Sequence, residues 1–396
     1  MYDCLTHHTI QIKFKKNMKK QSFTIVLYTT MLCFAALYMP QPILPVIAAY
    51  FSLDITSAAL VTSVTMIPLG LLPVLYGLLL NRIRIEQLLT ACLFFLALAT
   101  LLIALATNIQ TVLLGRFIQG LLLPGLFTCL MTLAGRTSPF DSIKRAINFY
   151  VCFSILGGFS GRILSGLFSY FFSWNTAFYL LSFLLLIQWL YFLSINKQSR
   201  KSSQLIQVAN LSSVIKSKTN AHSFIYIFLV FFLFASLLNF IPFRIVEITG
   251  ELNEFTISFI YLGYLVGAFI AFKCESITRF MGSEGRAVLL AQILLLLASI
   301  STLLDLYLAS FVAIFILCFG FFLLHSVLSA FLNFQNENAD RSLVNSMYIS
   351  SYYLGGSIGA FLPGFIYSNY DWNAYIIFIS MIWFLSLIFY LKVFQK

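Results

Sequence analysis

Leu156-Gly157-Gly158-Phe159-Ser160-Gly161-Arg162, followed by Gly166 and Trp174-Asn175, returns in the second half of the chain as Leu354-Gly355-Gly356-Ser357-Ile358-Gly359-Ala360, Gly364 and Trp372-Asn373. The copies stand 198 positions apart, half of the 396 residues. A weaker echo at offset 200 pairs Phe34-Ala35, Leu37 and Pro42 with Phe234-Ala235, Leu237 and Pro242. A repeat of this length governs the architecture, so it is settled before any single element. Hydrophobic residues make up 60% of the chain and charged residues only 9%, with a mean hydropathy of +0.94. Soluble domains carry far more charge. A duplicated block in so apolar a chain predicts two similar membrane bundles.

About 20 apolar residues cross a bilayer as a helix. Twelve such stretches can be read: roughly 24–48, 56–80, 87–107, 111–134, 146–171, 176–195, 223–243, 256–274, 287–305, 309–332, 344–368 and 373–391. They are long and continuous, unlike the short alternating segments of a membrane barrel. The expectation is an all-α membrane protein of 12 transmembrane helices in two six-helix bundles, 23–195 and 223–396. A tail at 1–22 and a Ser- and Lys-rich linker at 196–222 complete the chain.

The 24 Lys and Arg outweigh 13 Asp and Glu, a net charge of +11. Such a surplus suits nucleic acid as well as topology, and its placement decides. Lys13, Lys15, Lys16, Lys19 and Lys20 precede the first stretch, and Arg82, Arg84, Arg136, Lys144 and Arg145 lie in alternate loops. Lys197, Arg200, Lys201, Lys216, Lys218, Lys273, Arg279, Arg286, Arg341, Lys392 and Lys396 fall on that same side, whereas the opposite loops hold Arg244. Short cytoplasmic loops collect Lys and Arg, so both termini are expected in the cytoplasm, with no nucleic-acid partner. The first apolar run is too long, and too rich in proline, for a cleaved leader.

Seven cysteines without a C-x-x-C or an external-loop position indicate neither disulfides nor a metal site. No G-x-x-x-x-G-K-[ST] loop for nucleotide phosphates occurs. No cofactor is expected, and transport is expected to be facilitated or driven by an ion gradient unless a partner chain supplies an ATP-driven motor. No His, Cys, Ser or carboxylate constellation sits at membrane depth, which argues against an enzyme.

Three stretches resemble motifs of the major facilitator superfamily. Gly77-Leu-Leu-Leu-Asn81-Arg82-Ile-Arg84 resembles its signature loop G-x-x-x-[D/E]-[R/K]-x-G-x-[R/K]-[R/K], matching at Gly77 and Arg82 but not at Asn81 or Arg84. Arg116-Phe-Ile-Gln119-Gly120 resembles the R-x-x-Q-G of the proton-antiporter branch. Gly157-x-x-x-Gly161-Arg162-x-x-Ser165-Gly166 resembles the antiporter motif G-x-x-x-G-P-x-x-G-G, with Arg162 in place of proline. The whole is similar to drug:proton antiporters of the arabinose-efflux-permease type. The resemblance implies a substrate site midway between two bundles that rock between inward-open and outward-open states, and proton-coupled efflux of a small organic solute. It also implies a monomer in the inner membrane.

Buried arginines are expensive in a membrane and normally face a cavity or a partner. Arg116 and Arg162 are therefore candidates for substrate binding or coupling, together with Gln119. Against them stand snorkelling for Arg116 and the capping of backbone carbonyls for Arg162. Among acids only Asp305 touches a span, at its end, so no buried carboxylate offers itself as proton carrier or counter-ion. Pro40, Pro42 and Pro45 should break the first helix and expose carbonyls beside Gln41. His325 is the one group inside a span that titrates near neutral pH. Tyr150, Asn239 and Tyr353 are further polar candidates. Gly120, Gly157, Gly161, Gly355 and Gly359 read as close-packing positions, the last four as a seam between the bundles. Export competes with import of an organic anion and with a non-transporting receptor or scaffold. The broken symmetry of the repeat, Arg162 against Ala360 and Arg116 against Ile316, marks where substrate is expected.

Overall fold

The computed structural model describes residues 22–79, 83–139, 143–195, 214, 217–336 and 341–394. Arg82 of the signature-like loop lies outside the described residues, as do the tail and most of the linker. Gly77 falls within a short helix, Pro73–Leu79.

Among the described residues the chain forms helices and no strand. Helix α1 (22–38) stops where Pro40 has no N–H to offer the Ala36 carbonyl. A 3-10 turn at Gln41–Ile43 leads into α2 (Leu44–Phe51). Then follow α3 (Ile55–Leu71), α4 (Pro73–Leu79), α5 (Ile85–Ala104), α6 (Ile109–Thr137), α7 (Ile143–Phe171) and α8 (Thr176–Ile195). The second half comprises α9 (Lys218–Thr249), α10 (Glu254–Phe259), a 3-10 turn at Ile260–Leu262, and α11 (Gly263–Met281). It continues with α12 (Glu284–Ser301), α13 (Tyr307–Gln335), α14 (Arg341–Gly359), α15 (Leu362–Asn369) and α16 (Trp372–Phe394). Asp54, Asn108, Ser217, Asn253 and Ser283 cap helix starts by accepting backbone N–H bonds.

Ten helical segments are long and apolar enough to cross a membrane. The other two expected spans are broken rods. Between α3 and α4 the chain bends at Leu72-Pro73, and between α14 and α15 at Ala360-Phe361 before Pro363. Proline supplies no N–H to continue either ladder.

Contacts sort the turns into two ends. Asn175 Nδ2 donates to the Ala104 carbonyl at 3.0 Å, and Trp372 Nε1 to that of Thr302 at 3.0 Å. At this end Arg244 pairs with Glu247 at 3.0 Å and with Asp305, and the Tyr367 hydroxyl donates to Glu247. At the other end the amides of Asn220 and Asn336 bond reciprocally, and Tyr390 donates to the Gly285 carbonyl. The second set lies beside the basic turns, so one end is base-rich and the other base-poor.

The duplicated glycines show the repeat in three dimensions. A Cβ on Gly157 would stand 2.3 Å from the Met31 carbonyl oxygen, and one on Gly161 2.7 Å from Ala35 Cα. In the second half a Cβ on Gly355 would stand 2.1 Å from the Phe228 carbonyl oxygen, and one on Gly359 2.2 Å from that of Phe232. The seam thus lies inside each half, α7 on α1 and α14 on α9. This corrects the expectation that these glycines lie between the halves: only bare glycine lets these helices approach so closely. Gly157→Ala and Gly355→Ala are each expected to destabilise by about 1–3 kcal/mol through overpacking. The double variant should show the sum, because the sites share no partner. Melting temperatures in detergent check this, and an effect in one half alone contradicts the equivalence.

Candidate functional site

Arg162 lies on α7 where the two halves meet, with no solvent exposure. Its Nε donates to Gln41 Oε1 at 2.7 Å and its Nη1 to the Gly158 carbonyl at 2.8 Å. Its Nη2 crosses to the second half and donates to the Tyr264 hydroxyl at 2.8 Å. The guanidinium carbon stands 4.2 Å from the Tyr38 ring centre, 4.1 Å from that of Tyr264 and 5.2 Å from that of Tyr261. Rings attract a desolvated cation through their negative faces. Three rings, an amide and a carbonyl therefore compensate Arg162, which has no carboxylate partner among the described residues. Gly158 leaves room for this packing: a Cβ there would meet Tyr38 at 3.0 Å and Arg162 Nη1 at 3.2 Å.

The second half supplies a wall of rings. Phe234 stacks on Phe321 with centres 3.7 Å apart, and Phe231 on Tyr352 at 3.6 Å. Tyr264 meets Phe234 and Phe322. Tyr353 is buried edge-on against Phe231 and, with Tyr352, faces the Tyr38 phenol. His325 stacks on Phe321, and its Nδ1 lies 2.9 Å from the Tyr348 hydroxyl. An apolar groove of about 520 Å³ lined by Ile300, Leu303, Ile376 and Phe384 shares no residue with this centre.

Arg116 occupies a different network. Its Nε donates to the Val61 carbonyl, Nη1 to that of Ala36, and Nη2 to that of Leu37, each at 2.8 Å. Nη1 also donates to Gln119 Oε1 at 2.6 Å, and Gln119 Nε2 donates to Thr100 Oγ1 at 2.9 Å. The Ala36 and Leu37 carbonyls are the ones freed where Pro40 ends α1, so the arginine caps the broken helix. Gly120 completes the motif: a Cβ there would lie 2.3 Å from the Thr65 carbonyl oxygen of α3. Arg116-x-x-Gln119-Gly120 thus joins α1, α3, α5 and α6.

The structure brings Arg162 and Gln41 into direct contact and sets Tyr353 nearby. Arg116 and Gln119 form the separate clamp. The Tyr150 hydroxyl donates to the Phe127 carbonyl at 3.2 Å, within the first half. Asn239 Nδ2 donates to the Ala360 carbonyl at 2.8 Å, while its buried Oδ1 has no hydrogen-bond partner. Asn239 lies 198 positions after Gln41, and Ala360 198 after Arg162, the offset of the glycine block. The repeat therefore places an amide against α7 in one half and against α14 in the other. The difference between side-chain and backbone partner follows from the arginine. Tyr38, Tyr261 and Tyr264 escaped the sequence reading; the i,i+3 spacing of Tyr261 and Tyr264 and the position of Tyr38 three before Gln41 were the available signals.

At the base-poor end the halves close on each other. The Thr56 and Ser368 hydroxyls lie 3.0 Å apart, and Ser169 donates to Glu254 Oε1 at 3.1 Å. Nearer the centre Ser63 donates to the Ser357 carbonyl at 2.7 Å. The Asp54 carboxylate, just outside α3, is held below its usual pKa by bonds from Ser57 and from backbone N–H groups. Gly166 abuts α10 so closely that a Cβ would fall 1.5 Å from Ser258 Oγ. Gly166→Ala is accordingly expected to open this end and to raise thiol labelling of a cysteine placed at Thr56 by several fold. Unchanged labelling contradicts the seal.

The sequence model of the Major Facilitator Superfamily matches residues 26–336. An uncharacterized transporter of Buchnera aphidicola subsp. Schizaphis graminum is 28% identical over 96% of this chain and 93% of its own length. The inner membrane transport protein YnfM of Escherichia coli K12 is 27% identical over 92% of this chain and 88% of its own. Among solved structures, the nucleoside transporter NupG superposes with a TM-score of 0.75 at 13% identity, covering 96% of this chain and 100% of that one. A bacterial homolog of the human lysosomal transporter Spinster, inward-facing and unoccupied, gives 0.74 at 13% identity, with 95% of each chain covered. At such identities the structures carry the fold alone. The apolar spans and these relatives make the chain a multi-pass inner-membrane protein of the transporter class and not an enzyme. With the helical halves, their repeat and the family match over most of its length, the chain belongs to the Major Facilitator Superfamily.

Proposed function

We propose that this chain is a secondary active transporter of a small organic solute, working by alternating access between two six-helix halves, 23–195 and 223–396. In this reading the broken rods α3–α4 and α14–α15 are the second and eleventh of twelve spans. The base-rich end, with both termini, faces the cytoplasm. The observation that carries the proposal is Arg162: a fully buried cation bonded to both halves with no acid beside it. Such a group is a site for a solute with an anionic or multiply hydrogen-bonding head. Gln41 and Tyr353 flank that site, His325 is the histidine within a span of the second half, and Arg116 holds the first helix in place from outside it.

The antiporter-like R-x-x-Q-G and G-x-x-x-G stretches favour export in exchange for protons, by a monomer. Import of an organic anion is the second reading, favoured by the neutral surroundings of Arg162. Proteoliposomes separate the two. A proton antiporter accumulates its solute in acid-loaded vesicles and loses it when a protonophore is added. A proton-coupled importer accumulates solute in alkaline-loaded vesicles. A receptor or scaffold produces no flux under either gradient, and that result removes the proposal.

A further inference from the structure

Beside the rings of Tyr261 and Tyr264, Arg162 meets the second half through a hydrogen bond to one neutral group, the Tyr264 hydroxyl, which accepts from Nη2 at 2.8 Å. Its other partners, Gln41 Oε1 and the Gly158 carbonyl, belong to the first half. A guanidinium has five N–H groups, so one on each terminal nitrogen remains beyond these three bonds. No Asp or Glu lies within a span away from its ends. The surroundings are flat: the rings of Tyr38, Tyr261 and Tyr264 lie about the cation, and the Phe234–Phe321 stack adjoins Tyr264.

We infer that the Tyr264 hydroxyl holds the place of an anion: a flat organic monoanion, a carboxylate or sulfonate, displaces it from Arg162 and in doing so releases this central link between the halves. The inference rests on the reading of Arg162 as the solute site. Charge-assisted bonds to a guanidinium are stronger than bonds to a neutral hydroxyl, and the planar fork suits two oxygens at once. Ring faces accept a flat body beside that head. Rocking without ligand strips Nη2 of its partner across the interface in a low-dielectric setting, which is unfavourable. A bound anion replaces that partner. The empty carrier is held and the loaded one moves, so exchange of solute for solute outruns net flux.

The test uses benzenesulfonate, an anion at every accessible pH, with benzenesulfonamide as its neutral counterpart. Purified wild type, Tyr264→Phe and the remote control Tyr375→Phe, each eluting as one monodisperse peak, are titrated while thermal stability is followed. Wild type is expected to be stabilised by the sulfonate and not by the sulfonamide. Tyr264→Phe should bind the sulfonate roughly tenfold more tightly, because no hydroxyl competes for Nη2; Tyr375→Phe should match wild type. In proteoliposomes, external sulfonate should accelerate efflux of labelled sulfonate several fold for wild type and leave Tyr264→Phe unaccelerated. Equal or weaker binding by Tyr264→Phe, with wild type still responding, overturns the place-holder and leaves the anion site standing. No response of wild type to the sulfonate overturns the anion site itself, and the place-holder with it.

Discussion

Replacing Arg162 by alanine is expected to lower solute flux by roughly 100-fold or more, the loss of about two bonds to a charged group. The residue is buried, lies between the halves, and has no acidic partner that would be left as an unpaired charge. Its removal therefore strikes solute recognition harder than stability. Arg162→Lys keeps the charge but cannot bond Gln41, Gly158 and Tyr264 and still present a fork to the solute. It should fall between wild type and alanine, about tenfold down. Initial rates in proteoliposomes, normalised to folded protein, check both. If Arg162→Ala transports every tested solute at the wild-type rate, the site assignment is wrong.

Arg116→Ala should fail in a different way. Its guanidinium bonds the Val61, Ala36 and Leu37 carbonyls and Gln119, all without solvent. Those acceptors are left unsatisfied in the membrane core once it is gone, at a cost of about 3–5 kcal/mol. A sharply lower melting temperature in detergent and little folded protein are expected. Arg116→Lys should rescue little, because one ammonium cannot reach acceptors on α1, α3 and α6 together. The folded fraction should keep the wild-type KM. A stable Arg116→Ala protein with altered KM would instead place this arginine at the solute site.

The sequence made the architecture legible because long apolar runs and one-sided basic loops leave a membrane helix bundle as the solution. The repeat revealed the two halves, whereas the parallel between Gln41 and Asn239 came only from their contacts with α7 and with the end of α14. The stretches 56–80 and 344–368 were legible as apolar runs but their breaks were not, since hydropathy registers Pro73 and Pro363 only faintly while the backbone ladder stops near them. The glycine motif was legible as close packing but not as to which helix it packs against. That depends on the direction each glycine faces, which the repeat does not encode. The two arginines looked alike on paper, each a lone charge inside a span. Only three-dimensional contacts separate them: Arg116 meets backbone that Pro40 has freed, and Arg162 meets side chains of the other half. Tyr38, Tyr261 and Tyr264 stayed hidden among 20 tyrosines, because aromatic residues are common in membrane helices for reasons of packing alone.

Alternating access requires the halves to part at the base-poor end, where the Thr56 and Ser368 hydroxyls lie 3.0 Å apart. Cysteines at these two positions would bring their sulfurs to the place where the hydroxyls now meet, so oxidation is expected to cross-link them. The decisive measurement is solute flux through Thr56→Cys/Ser368→Cys, oxidised and then reduced, with each single variant controlling for the native thiols. Flux should vanish on oxidation of the double variant and return on reduction, while the single variants are unaffected. Full flux through the fully cross-linked protein would contradict transport by rocking of the two halves.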